Sequence, residues 1–206
     1  MKKTKINKII VHRGVHDNIN IPENSLKAFS IAVNNDLPIE FDVRITKDNK
    51  LIVFHDDNLK RMTGKDYLIE SLTLSEIKEN RLLNTNETIP TFEEVLNLIN
   101  SKVLLDIEIK DTKNYKILVD LLINKLKKYK GDFIIKSFNP KIVRYLHKKQ
   151  LNFKCGLLLK DNCISKNFIY FFTCILLKYQ QFCLKFNKIS ERSTKKITID
   201  TAFTRV

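Results

Sequence analysis

Ile39-Glu40-Phe41-Asp42-Val43 (residues 39–43) and Leu105-Asp106-Ile107-Glu108-Ile109-Lys110 (residues 105–110) share one pattern, aliphatic and charged residues in strict alternation. Successive side chains of a strand point to opposite faces. Glu40 and Asp42 therefore lie on one face of their strand, as do Asp106, Glu108 and Lys110 on theirs. A half-solvated antiparallel strand would alternate in the same way. The neighbouring sequence separates the two readings, because short β-rich runs alternate with helical patterns over most of the chain, which predicts an α/β fold with a mostly parallel sheet. Such sheets are covered on both faces, so carboxylates pointing inward need a cation beside them.

The strand runs are Lys8–Arg13, Pro38–Val43, Leu51–His55, Val103–Lys110, Asp132–Phe138 and Lys154–Leu159. Between them, Glu23–Asn34 carries Leu26, Phe29 and Val33 at helical spacing, with Pro22 just ahead. Thr91-Phe92-Glu93-Glu94 reads as a capping box that opens a helix with Val95, Leu96 and Ile99 on its apolar side. Tyr115–Tyr129 and Pro140–Lys149 complete the helices. The segment from Asp42 to Leu51 is too short for a crossover helix. An extended return through Thr46-Lys47-Asp48-Asn49 could reach roughly 30 Å, which permits a parallel pair without a helix.

A chain of 206 residues is long enough for one sizeable core, and a single domain spanning 1–206 is expected. Neither an internal repeat nor a linker-like segment breaks it. The basic start, Met1 to Lys8, runs into Ile9-Ile10-Val11-His12 without an apolar stretch of signal-peptide length, so a cytoplasmic protein is the expectation. Phe168–Leu177, the longest nearly apolar run, is too short to span a bilayer and reads as a buried helix; membrane contact is left open but not predicted. Cys155, Cys163, Cys174 and Cys183 form no C-x-x-C pair and read as buried free thiols. The formal charge of +14 would attract phosphate-bearing molecules. No basic run is interleaved with aromatics as single-strand binders require, so the lysines read as a solvated surface and no nucleic-acid partner is predicted.

The chemistry concentrates where strands end. Glu40, Asp42 and Glu108 offer the hard oxygen donors that suit Mg²⁺ or Ca²⁺. His12 closes the first strand and His55 the third; a pair of imidazoles can take a proton from one oxygen and give one to another. Arg13 offers a fork matched to phosphate oxygens and Lys110 a point charge. His16 and His147 lack such surroundings and read as structural. Glu23 also reads as structural, a carboxylate favourable to a helix start.

His12-Arg13-Gly14, Pro22-Glu23-Asn24-Ser25 with Ala28-Phe29, Glu40-Phe41-Asp42-Val43, Thr46-Lys47-Asp48 and His55-Asp56 follow one another in an order and spacing that resemble the glycerophosphodiester phosphodiesterase family. Leu59, Arg61 and Thr63, Ile89-Pro90-Thr91, Glu108-Ile109-Lys110 and Ser137-Phe138 continue the likeness, which covers about residues 8–160. The resemblance implies a TIM-type (β/α) barrel that hydrolyses glycerophosphodiesters to glycerol 3-phosphate and an alcohol. It makes His12 and His55 the acid/base pair, Glu40, Asp42 and Glu108 the holders of a divalent metal, Mg²⁺ or Ca²⁺, and Arg13 and Lys110 the substrate-binding cations. Barrel sites lie at the C-terminal ends of strands, where these residues fall.

The likeness fails towards the C-terminus. The family carries two more strands after the sixth, one with a Trp-Thr motif, and this chain has no Trp. Lys196–Thr201 offers a seventh strand, and Asn162–Ile189 matches nothing in the family pattern. The barrel is therefore expected to be incomplete or diverged at that end. A truncated, inactive remnant and a related lysophospholipase D-like phosphodiesterase are the alternatives.

Overall fold

The computed structural model describes residues 9–149, 153–158 and 182–184, the last as backbone alone. The strands are β1 (Val11–His12), β2 (Ile39–Ile45), β3 (Leu51–Val53), β4 (Leu105–Ile109), β5 (Phe133–Ser137), β6 (Lys154–Leu158) and β7 (Phe182–Leu184). They form one sheet in the order β1-β2-β4-β5-β6-β7, with β3 attached to β2 alone. Every neighbouring pair along that path is parallel. This is the expected α/β architecture: the first six expected strands are present, β2 reaching two residues further, to Ile45, and the others shortened.

Two expectations need correction. β3 runs antiparallel to β2, Val43 facing Val53 and Ile45 facing Leu51, so the short connection is a hairpin and not an extended return. Thr46 closes it: its backbone N–H donates to the Lys50 carbonyl (3.0 Å), its hydroxyl accepts from the Lys50 N–H (2.9 Å), and Asn49 takes a left-handed φ of 58°. β3 therefore leaves the parallel path, whose third strand is β4. The sixth strand on that path is β7, in a stretch for which the sequence suggested no strand. The proposed helix at Phe168–Leu177, the strand at Lys196–Thr201, and Cys163 and Cys174 lie outside the described residues.

The helices that position the site are α1 (Leu26–Asn34), α2 (Lys60–Thr63), α3 (Leu74–Lys78), α4 (Phe92–Ile99), α5 (Tyr115–Leu126) and α6 (Pro140–Lys148). α1 starts at Leu26 and not at Glu23, because the Ser25 hydroxyl accepts from the Ala28 N–H and caps it there. α4 opens with the expected capping box of Thr91 and Glu94. α6 has Pro140 at its first turn and Asn139 as its cap.

The aliphatic face of the sheet packs against α1, α4, α5 and α6 in one core. Phe29, Phe41 and Phe92 meet there with ring centroids 5.7 and 6.1 Å apart. Each such fully buried ring contributes roughly 1.5–3 kcal/mol of burial. A second, smaller core gathers Ile52, Phe54, Leu59, Met62, Ile69, Ile77, Leu82 and Ile89 under the excursion between β3 and α4. That small core fixes the loop that carries His55, Asp56 and Arg61.

Candidate active site

Strand register assembles the polar face. His12 pairs with Glu40, Glu40 with Asp106, Asp42 with Glu108, and Glu108 with Lys136. Registered neighbours in a parallel sheet point the same way, so these six side chains share one interior surface. Glu40, Asp42 and Glu108 are buried, each offering a carboxylate oxygen within 4.8 Å of the others.

The carboxylates are held from several sides. Lys110 Nζ lies 2.6 Å from Glu108 Oε1 and 3.3 Å from Asp42 Oδ1. Asn24 donates to Asp42 Oδ2 (2.9 Å), and Arg13 Nε lies 3.3 Å from the same oxygen. Beneath them Lys136 Nζ bridges Asp106 Oδ2 (2.8 Å) and Glu40 Oε1 (3.3 Å) with its side chain wholly out of solvent. His12 Nε2 stands 3.9 Å from Glu40 Oε2.

Burial pushes the Glu40 carboxyl up to about 8; Lys136 opposes this, while Asp42, Asp106 and Glu108 add to it. Burial acts on Asp42 in the same sense, but the charges of Lys110, Arg13 and His55 and the Asn24 hydrogen bond outweigh it and keep that carboxyl below its ordinary value. A divalent ion would suit the cluster on two observations. The donors are three hard carboxylates, and Asp42 Oδ1 is buried without a hydrogen bond.

The loop after β1 has an unusual backbone. Arg13, Gly14 and Asn24 all take positive φ, 59°, 81° and 55°. A Cβ on Gly14 would sit 2.9 Å from Ala28 Cβ, so glycine is required for α1 to close on the loop. Asn24 N–H donates to the Arg13 carbonyl (2.9 Å), tying the two turns together. Glu23 takes Arg13 Nη1 at 2.8 Å and Arg61 Nη2 at 2.6 Å. It lies outside the helix, so its role is to hold two guanidinium groups and not to stabilise a helix start. Burial disfavours its charge, yet the bonds from Arg61, Arg13 and Asn18 bring its pKa down to about 2.

The β2–β3 hairpin brings His55 back beside Asp42, with the Phe54 N–H donating to the Asp42 carbonyl at 3.0 Å. His55 Nδ1 lies 2.7 Å from Asp56 Oδ1, and Asp56 Oδ2 accepts from Arg61 Nε at 2.7 Å. Arg44 grips the His55 carbonyl through Nε (3.0 Å) and Nη2 (2.8 Å).

All seven residues singled out in the sequence thus fall in one connected cluster. Sequence reasoning assigned no site role to Asn24, Asp56, Arg61, Arg44, Asp106 or Lys136. Lys136 follows the apolar run Phe133-Ile134-Ile135 in its strand, which marks it as unusual but does not name its partners. His16 and His147 stand outside the carboxylates, and burial lowers the pKa of each. Cys155 is a buried free thiol, 3.3 Å from His147 Nε2. A cleft of about 700 Å³ opens at the same end of the sheet, lined by Arg44 beyond Asp42, Asp111 and Lys113 beyond Glu108, and Asn139 beyond β5.

Known proteins resemble this chain in sequence and fold. The model of the glycerophosphoryl diester phosphodiesterase family matches residues 12–181. A glycerophosphodiester phosphodiesterase of Caldanaerobacter subterraneus subsp. tengcongensis is 37% identical over 168 residues, 76% of this chain and 68% of the relative. Two further relatives are matched over only 46% and 44% of their own length. The crystal structure of a Thermotoga maritima glycerophosphodiester phosphodiesterase superposes with a TM-score of 0.67 at 31% identity, over 85% of this chain and 71% of that one. An Oleispira antarctica phosphodiesterase in complex with sn-glycerol-3-phosphate shares the fold, with a TM-score of 0.72 at 24% identity over 82% of this chain and 71% of that one. With the family model matching most of its length, this chain belongs to the glycerophosphoryl diester phosphodiesterase family, the phosphoric diester hydrolases to which its sequence motifs pointed.

Proposed function

We propose that the protein hydrolyses small glycerophosphodiesters to glycerol 3-phosphate and an alcohol, using a divalent ion, Mg²⁺ or Ca²⁺, held by Glu40, Asp42 and Glu108. The observation that carries this reading is the convergence of those three buried carboxylates within 4.8 Å, between two histidines. The bound phosphoglycerol of the Oleispira relative supports the substrate class.

The ion, when bound, supplies Lewis-acid stabilisation of phosphoryl oxygens. The remaining roles fall to the chain. Arg13 and Lys110, already on the rim of the carboxylates, neutralise the phosphoryl oxygens. Asp56 holds His55 Nδ1 in the donor form, which leaves Nε2 to take the proton of the attacking oxygen. His12, in its imidazolium form, donates a proton to the leaving alkoxide. One P–O bond forms and one breaks. The attacking oxygen's proton ends on His55, and His12's proton leaves with the alcohol. Glu23 and Arg61 act through Arg13 and Asp56 by fixing where those groups sit.

Turnover of glycerophosphocholine or glycerophosphoethanolamine by the purified protein, with Mg²⁺ or Ca²⁺ and with chelator, tests the reading alongside His12→Ala and Glu108→Gln. Metal-dependent release of glycerol 3-phosphate, lost in both variants, is expected. A cooperatively melting protein without turnover under either metal would refute it.

A further inference from the structure

α5 and α6 leave a second cavity between them, of about 390 Å³, lined by Tyr115, Lys116, Lys141, Arg144, Tyr145 and Lys148. Four of these six side chains are cations, and among the described residues none lining the cavity is a carboxylate. Asp120 of α5 is already engaged, by Lys149 at 2.8 Å and by the Tyr145 hydroxyl at 3.1 Å. Lysines on a helix surface are ordinarily solvated and point apart. Here Lys141, Arg144 and Lys148 recur along one face of α6 and converge with Lys116 of α5 on a single groove. Like charges held together repel one another, and an anionic occupant relieves that repulsion. Tyr115 and Tyr145 pack edge to face with centroids 6.0 Å apart, which sets the spacing of the two helices at the groove.

Two observations bear on what the occupant is. The groove adjoins the 700 Å³ cleft at the end of the sheet, Tyr115 and Lys141 lining both. Three large exposed apolar side chains adjoin these linings: Leu68 (58% exposed) lines the cleft itself, Ile117 (44%) follows Lys116 of the groove in sequence, and Phe138 (40%) precedes Asn139 of the cleft. Exposed aliphatic and aromatic groups among cations match the boundary between head groups and acyl chains. A dissolved phosphate or a nucleic-acid backbone would gain nothing from Ile117 or Leu68.

We propose that the α5–α6 groove docks the protein on an anionic lipid surface, with lipid phosphates among Lys116, Arg144 and Lys148 and the apolar residues against the bilayer boundary. The proposal concerns the surface and stands apart from the catalytic reading.

Vesicle co-sedimentation of the full chain tests it, with phosphatidylcholine vesicles beside vesicles containing roughly one-third phosphatidylglycerol. Binding to the anionic vesicles alone, released by salt at about 0.5 M, is expected. Lys116→Gln/Arg144→Gln should weaken that binding about thirtyfold while leaving the melting temperature and turnover of a soluble substrate unchanged. Lys127→Gln/Lys128→Gln, exposed at the far end of α5 and equal in charge change, is the control and should bind nearly as the unaltered protein does. Equal weakening by both pairs would assign the effect to diffuse net charge and overturn the proposal. So would binding that is unaffected by salt, full displacement by millimolar inorganic phosphate, or tighter binding to single-stranded RNA than to vesicles at the same ionic strength.

Discussion

Lys136→Met removes the one cation that, among the described residues, lies wholly inside the site, while nearly preserving its volume. Lys136 is fully buried, 2.8 Å from Asp106 Oδ2 and 3.3 Å from Glu40 Oε1. Both carboxylates also lose a hydrogen-bonding or Coulombic partner they cannot replace from water, since Asp106 and Glu40 are 3% and 1% exposed. Removing one partner of a buried ion pair is destabilising by about 3–5 kcal/mol. In a chain of this length each kcal/mol lowers the melting temperature by about 2–4 °C, so a drop of about 6–20 °C is expected. Urea unfolding in chelator measures the free energy directly. Lys136→Met/Asp106→Asn supplies the control: removing both charges leaves Asp106 neutral, so the double variant should be more stable than Lys136→Met alone. Glu40 would then keep its proton near neutral pH, as burial already favours. A single-variant loss below about 1 kcal/mol, or strict additivity of the two substitutions, would refute a charge-compensating role for Lys136.

Three further outcomes follow from the same geometry. Gly14→Ala puts a Cβ 2.9 Å from Ala28 Cβ at a φ of 81°, and urea unfolding should show a loss of about 1–3 kcal/mol; a change under about 0.5 kcal/mol would mean the loop shifts freely. Glu23 has its pKa lowered from 4.5 to about 2, so its contribution is present above the unfolded value and is lost as pH falls through that window. Glu23→Gln should therefore flatten the stability lost between pH 4.5 and about 2, by up to about 3 kcal/mol, in melts recorded across that range. Asp42→Asn keeps the shape of the side chain but removes a hard anionic donor, and calorimetric titration with Mg²⁺ or Ca²⁺ should show affinity at least about tenfold weaker, with the fold retained by circular dichroism.

The parallel sheet was legible because short β-rich runs alternate with helical patterns along the chain, which sets its two charged strands apart from a half-solvated antiparallel pair. A one-residue slip in either would have turned every carboxylate to the aliphatic face. The same logic could not reveal β3. A three-residue strand flanked by His55 looks alike whether it runs up or down, and direction was settled by Thr46 and Asn49, whose hydroxyl and left-handed backbone close a tight hairpin. The correction strengthens the site, since an antiparallel β3 returns His55 to the level of Asp42. Glu23 was misplaced for a related reason. Local propensity put it in a helix, but Arg13 and Arg61, far apart in sequence, draw it out of one. Lys136 escaped because a lysine in a strand gives no hint of which carboxylates it will meet; that follows only from the pairing of β4 with β5.

The balance of charge ties the site to a monoanionic substrate. Five buried carboxylates, Glu23, Glu40, Asp42, Asp106 and Glu108, meet four cations, Arg13, Arg61, Lys110 and Lys136, which leaves one negative charge uncompensated. A buried excess charge is costly, and the raised pKa of Glu40 is the response available to the protein alone, a proton taken where the excess is greatest. A divalent cation held by Glu40, Asp42 and Glu108 would replace that proton and give the cluster a single positive charge. A phosphodiester carries one negative charge at neutral pH. The protonated site and the charged substrate are thus poorly matched, whereas the metal-bearing site and the substrate neutralise one another. Lys136 belongs to this design as much as the carboxylates do: without it the metal-loaded cluster would be neutral, and the pull on a phosphodiester would rest on Arg13 and Lys110 at the rim.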